Sequence, residues 1–460
     1  MHPLLTSADP RQRAWLAPDG GDPLHPDAAW VRRFLAQGTW DRSALADALG
    51  WDVDTAWRGG GAVVVAGQQP AFGGGPVYTL VKTAQAIALA RSLSTSAHPV
   101  RPVFWCASDD HDLGEADHVD LIARDGRIHR QRIDLGGQRA LHRISAAGGW
   151  TDLLAACRAI LGPGLGEDFL RQSGPRADET FGVWHCRLLE ALFPGCGLLT
   201  LEPRHLRGIW ADAIAACVAG WPTQALQRRR DDLIAAGLAD AFGDLPAPPL
   251  FLDEAQTRRS LTPTEARALA GARPADLSPG AAIRPVVQQA ALPAAVVILG
   301  PGEQAYHAVL EPLYARLALP RPLPVPRSTV TIEPAWYRRG REAWQTAAEG
   351  PVDLGAIDRA IDAVDALALP PAMAAARAAG LHRLRRERHR LQCSLDRIQR
   401  NLAGRPPRGG LDAWERPRGA GQDRTLSLVQ AVWEWGPGLA DDLVRAIAAH
   451  PPGSAISVPV

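Results

Sequence analysis

The chain has no CxxC pair, no apolar run long enough to cross a bilayer and no excess of either charge. Its six cysteines, Cys106, Cys157, Cys186, Cys196, Cys217 and Cys393, are scattered. That spacing excludes a zinc ribbon or a disulfide framework and predicts buried thiols. The longest apolar stretch, near 290–299, is interrupted by Pro293 and falls short of a membrane span. The opening MHPLLTSADPRQR has no apolar core of the kind a secretory leader needs. With 50 basic against 49 acidic residues the net charge is +1, so no global field recruits nucleic acid or an anionic membrane, and any anion site is local. A soluble cytoplasmic protein acting on small molecules is expected. Its 460 residues are enough for two or three domains around a large core.

What the chain does have is concentrated first at 62–91, AVVVAGQQPAFGGGPVYTLVKTAQAIALAR. An apolar, β-branched run at 62–66 predicts a buried strand. A glycine-rich loop follows, and then a helix led by Pro76. Glycines 67, 73, 74 and 75 let the backbone approach a ligand, and the free N–H groups of a first helical turn favour an anion. The loop therefore reads as a phosphate or carboxylate site, the alternative being a purely structural turn. Neither standard nucleotide motif fits. Pro76-Val77 follows Gly75 where a P-loop needs Lys-Ser or Lys-Thr, Lys82 lies almost two turns into the helix, and Tyr78 stands where the dinucleotide fingerprint has its third glycine.

A second strand is predicted at 99–108, PVRPVFWCAS, followed by DDHDLGEADH. The spacing suits a βαβ unit, with ligands at the carboxyl ends of its parallel strands. Asp109, Asp110, His111 and Asp112, followed by Glu115 and His118, form the densest ionisable cluster in the chain. Neighbouring carboxylates and an imidazole can bring acid and base groups near neutrality. Helix capping with surface ion pairs, and a divalent metal held by Asp and His, are the competing readings.

Residues 124–276 alternate short β-like pieces with helices and read as an α/β insertion. Parallel α/β grammar returns at 277–334, with a strand at 294–299, the loop Gly300-Pro301-Gly302 and a helix starting near Glu303. Arg284, ahead of a proline in apolar surroundings, is a candidate anion clamp; the alternative is a partner for an acidic residue in the core. From 335 to 460 the pattern turns helical. Leu381, Leu384, Leu391, Leu395, Ile398 and Leu402 trace a coiled-coil seam.

Three stretches in this order, GQQPAFGGGPVYTLVK from Gly67, FWCASDDHDLGEADHV from Phe104 and LSPGAAIRPVVQQAALPAAVVILGPGEQAYHAVLEPL from Leu277, resemble the bacillithiol-biosynthesis cysteine-adding enzymes, the BshC family. The resemblance implies a Rossmann-like core similar to class I aminoacyl-tRNA synthetases, formed by 1–123 and 277–334. It also implies a connecting insertion at 124–276 and a C-terminal helical coiled-coil region at 335–460 used for homodimerisation. The implied activity is a ligase joining the carboxyl of cysteine to the amine of glucosaminyl malate. Carried over, Gly67, Gln68, Gln69, Gly75 and Tyr78 line the core pocket with Asp110, His111 and Asp112, while Gly300, Gly302, Glu303 and Tyr306 close it.

On this reading Asp110, His111 and Asp112 are the catalytic candidates, with His111 or Asp110 deprotonating the attacking ammonium. Gln68 and Gln69 orient the substrate, the Gly67 loop takes the anionic group, and Lys82 and Arg284 count among the binding residues. Amide formation from a free carboxylate is uphill in water, which implies activation by ATP or another nucleotide. No metal is assigned. Two other classes compete: a metal-dependent hydrolase or deacetylase built on Asp110, His111, Asp112 and His118, and a non-catalytic dimeric binding protein.

Overall fold

A computed structural model describes residues 15–238, 240, 242–349, 354–368, 370–403, 414–417 and 421–460. It divides into two compact units. The first comprises 1–123, 128–332 and 420–458, and the second 124–127, 333–419 and 459–460.

The first unit is built on a parallel sheet of β1 (Ala62–Gln68), β2 (Val100–Cys106), β3 (Leu199–Leu201), β4 (Ala294–Leu299) and β5 (Leu323–Pro326), in the spatial order β5-β4-β1-β2-β3. The chain moves outward from β1 through β2 to β3, then returns to the other side of β1 for β4 and β5. This is the Rossmann arrangement, and the point where the order reverses lies between β1 and β4. The five residues 62–66 of β1 and all of β4 are buried, as expected for strands covered on both faces, which read as continuous apolar runs. Ala66 pairs with Ile298, so the loops that leave β1 and β4 emerge side by side.

The helix α1 (Tyr78–Leu93) follows β1, two residues later than Pro76 suggested. The stretch between Arg284 and Ala291, read from sequence only as a segment bearing an arginine, is a helix, α2, with Pro285 in its first turn. Its proline needs no N–H there. Then α3 (Pro301–Val309) begins directly after Gly300.

Two expectations about organisation change. Residues 199–201, assigned from sequence to the connecting insertion, form the edge strand of the main sheet. Residues 420–458, assigned to the C-terminal coiled-coil region, belong to the sheet unit. The helix α4 (Leu439–Ala448) buries Leu439, Leu443, Val444 and Ile447 there, a stripe at helical spacing that needs a partner surface. The loop after β1 is clasped by the same segment, with Val77 donating to the carbonyl of Leu426 and Leu428 to that of Gly75.

Within the second unit the helix Ala374–Ala403 carries the predicted seam. Leu381 is buried, while Leu384 and Leu391 are exposed; the side chains of Ile398 and Leu402 lie outside the described residues. Among the described residues, no helix is long and apolar enough to cross a membrane.

Buried glutamines hold the first unit's segments together. Gln430 accepts from the Ile122 N–H at 2.7 Å and donates to the Ile122 carbonyl at 2.8 Å. Replacing Gln430 with Leu orphans both backbone groups, and we expect a loss of about 2–4 kcal/mol of unfolding free energy. Urea denaturation followed by circular dichroism measures it; an unchanged midpoint would refute the clamp.

Candidate functional site

A cavity of about 530 Å³ opens at the reversal point between β1 and β4. Of the residues picked from sequence, Gly67, Gln68, Gln69, Tyr78, Lys82, Asp110, Arg284, Gly300, Gly302, Glu303 and Tyr306 line it. The order reversal gathers them, because parallel strands release their carboxyl ends, and the loops that follow, on one side of the sheet.

At its base Lys82, on α1, donates to the Gly67 carbonyl at 2.9 Å and to Glu303 at 2.7 Å. Glu303 also accepts from the N–H of Gly300 at 2.6 Å. Burial pulls the Glu303 carboxyl upward, but the Lys82 ammonium and the Gly300 N–H hold it below its ordinary value. Arg284 and the Tyr306 hydroxyl both line the cavity, close enough to interact. Among the described residues no carboxylate lies within ion-pair distance of Arg284. Burial, with the Glu303 carboxylate nearby, pushes Tyr306 up to about 12, so its phenol stays protonated. Two further arginines on the wall, absent from the sequence reading, are Arg327 and Arg424. Arg327 pairs with Asp423 and lies 5.0 Å over the Tyr78 ring; Arg424 is exposed. Isolated arginines in loop sequence carry no periodic or motif signal.

The glycine loop does not cradle an anion. Gly73, Gly74 and Gly75 all have positive φ but are buried and turned away from the cavity. A Cβ at Gly73 would meet Val119, and one at Gly74 would meet Leu428 at 3.0 Å. The N–H groups of Gly74, Gly75, Val77 and Thr79 are already donated to Ala71, Phe72, Leu426 and Pro76. The glycines serve close packing, and only the ends of the loop reach the cavity.

The acidic cluster also splits. Asp110 reaches the cavity, its Oδ1 accepting from the His111 N–H at 2.7 Å. Asp112 is exposed and meets the site only through its carbonyl, which accepts from Gln69 at 3.0 Å. His111 lines a smaller chamber of about 190 Å³ beside the main one. There Arg258 lies 2.9 Å from its Nδ1. Guanidinium only donates, so Nδ1 is the acceptor and the ring carries its proton on Nε2. Burial, then the Arg258 charge, push His111 below its ordinary value. The neutral ring is thus arranged as a hydrogen-bond donor rather than as the base expected from sequence. His118 is committed to Asp117 at 2.8 Å. Among the described residues no group of three His, Cys, Asp or Glu side chains is placed to hold a metal ion.

Asp109, adjacent in sequence, has a separate job. It is buried and accepts from Ser278 at 3.1 Å and from Arg207 at 3.1 Å, and it meets His142 at 3.2 Å. The other nitrogen of His142 lies 2.9 Å from Asp253, which also takes Arg143 and Arg207. Burial opposes charge on His142, but the flanking carboxylates raise its pKa overall; both acids are lowered despite burial by His142 and the arginines. The network fastens the insertion to the end of β2.

A sequence model described as "Bacillithiol biosynthesis BshC, N-terminal Rossmann-like domain" matches residues 52–239 and 251–328. Curated relatives named "Putative cysteine ligase BshC" include one from Solibacter usitatus, 31% identical over 59% of this chain and 55% of that protein. Another, from Koribacter versatilis, is 32% identical over 60% of this chain and 56% of its own length. A third, from Thermus thermophilus, is 31% identical over 59% and 57%. The chain thus spans little more than half the length of the relatives it matches.

The His142 network sets a pH dependence with a definite sign. A raised histidine contributes stability that is complete below about 6.5, its unfolded value, and is lost as pH rises through the higher folded value. The lowered Asp109 and Asp253 contribute stability above about 3.9 that is lost as pH falls. The free energy of unfolding by denaturant should therefore fall from pH 6 toward pH 9, with a shallower slope in His142→Gln. Equal slopes in the two proteins would refute the assignment.

Proposed function

Because the chain belongs to the BshC family of bacillithiol biosynthesis, we propose that it is a ligase joining the carboxyl of cysteine to the amine of an amino-sugar acceptor such as glucosaminyl malate, the last step of that route. The observation that carries this reading is the Arg284 guanidinium, which lines the cavity and makes no ion pair among the described residues. A half-buried cation outside any ion pair favours an anionic ligand such as a carboxylate. Asp110 supports the binding of the amino acid. Its Oδ2 has no protein partner among the described residues, so it can hold the ammonium beside the carboxyl carbon that the acceptor nitrogen attacks. The Nε2–H of His111 can donate to oxygen as charge develops there.

Activation of the carboxyl is supplied by ATP or another nucleotide when bound. The fit to such a group rests on side chains where the Gly74, Gly75, Val77 and Thr79 amides are spent: Arg284, Arg327 and Arg424 line the cavity. Gln68 donates to the Tyr78 hydroxyl at 3.1 Å and can orient the acceptor from there. We further infer that the protein works in the cytoplasm as a homodimer through the helix Ala374–Ala403, a reading supported by the exposure of Leu384 and Leu391 on its seam.

The test is amide product, followed by mass spectrometry, from cysteine, glucosaminyl malate and ATP. Arg284→Met should reduce kcat/KM by about 1.5–3 kcal/mol, roughly 10- to 150-fold, with the wild-type melting behaviour retained. Full activity in that variant, or no amide from any amino-sugar acceptor with any nucleoside triphosphate, would sink the assignment.

A further inference from the structure

The main cavity is not the whole site. The smaller chamber shares Trp105, Ala107, Asp110, Ala281 and Arg284 with it, so the two meet at a wall bearing one anion and one cation. These two groups are close enough for the Asp110 charge to act on the Arg284 guanidinium, yet they form no ion pair with each other. Such a gap suits a ligand that brings both an ammonium and a carboxylate. The chamber beyond is small: Pro203, Phe251 and Pro279 form an apolar side, and Asp109, His111 and Arg258 a polar one. Phe251 is braced by the Arg258 guanidinium 4.0 Å over its ring and by His111 edge-on at 5.3 Å. Arg258 is fixed in turn by Ser278 and the Pro279 carbonyl. The walls are therefore pre-organised.

We propose that this 190 Å³ chamber is an amino-acid subsite that takes an L-α-amino acid of small side chain, its ammonium on Asp110, its carboxylate on Arg284 and its side chain toward Phe251. The inference rests on the ligase reading above and deepens it by separating the substrates. The amino acid enters the chamber, the acceptor and nucleotide occupy the 530 Å³ cavity, and the carboxyl waits at the shared wall. Size selection then falls to Phe251, and charge selection to Asp110 and Arg284.

Isothermal titration of the full chain with single amino acids tests the assignment without turnover. L-Cysteine should bind, and L-tryptophan should bind about tenfold or more weakly. Cysteamine, without a carboxylate, and 3-mercaptopropionate, without an ammonium, should each lose affinity by a similar factor. Phe251→Ala should admit L-methionine, and Phe251→Trp should weaken L-cysteine; circular dichroism confirms folding, and the wild-type series stands without either variant. Arg424→Glu, on the outer wall of the main cavity, should leave cysteine affinity unchanged. The subsite is overturned if tryptophan binds as tightly as cysteine, or if cysteine affinity responds to Arg424→Glu and not to the Phe251 variants. The two readings fail separately: amide product with that wrong binding pattern overturns the subsite alone, whereas the expected pattern with no amide from any acceptor overturns the ligase.

Discussion

The ion pair between Lys82 and Glu303 is the constraint on which the geometry of the cavity depends. It spans the point where strand order reverses, joining the helix after β1 to the helix after β4, and each partner also holds a backbone group of the neighbouring loop. A buried pair of this kind adds little net stability, because the desolvation of both charges offsets their attraction. Its value lies in position. With the Glu303 carboxylate hydrogen-bonded to Lys82 and to the Gly300 N–H, it makes no ion pair with Arg284.

A second division of labour falls between adjacent aspartates at the end of β2. Asp109 is buried and spent on His142, Arg207 and Ser278, an arrangement that anchors the insertion and satisfies each charge. Asp110, one residue on, faces both chambers with one oxygen unpaired. The strand's end turns there, so successive side chains meet different neighbours. Next along, His111 has its tautomer set by Arg258, which arrives from a strand nearly 150 residues later in the chain. The three residues that look like one cluster in the sequence thus meet three different sets of partners.

Much of the fold was legible because its signals are local. Buried β-branched runs at 62–66 and 294–299 predict parallel strands, and the glycines and prolines that follow mark where they end. The edge position of Leu199–Leu201 was not legible, since a three-residue strand has no periodicity to read. The glycine loop misled for a physical reason: φ > 0 and close approach are needed equally for a ligand and for the side chains of Val119 and Leu428, and sequence does not say which one is near.

The order of residues along the chain was enough to decide the strand–loop–helix units, the resemblance to the family and most of the cavity's lining, because each depends on short patterns or on motifs kept in register with strand ends. Tertiary structure alone decided which charges are neutralised and which are free. That outcome turns on partners far apart in sequence: Glu303 with Lys82, Asp253 with His142, and Arg258 with His111. Electrostatic energy depends on distance and burial in space, and neither quantity can be read from position along the chain.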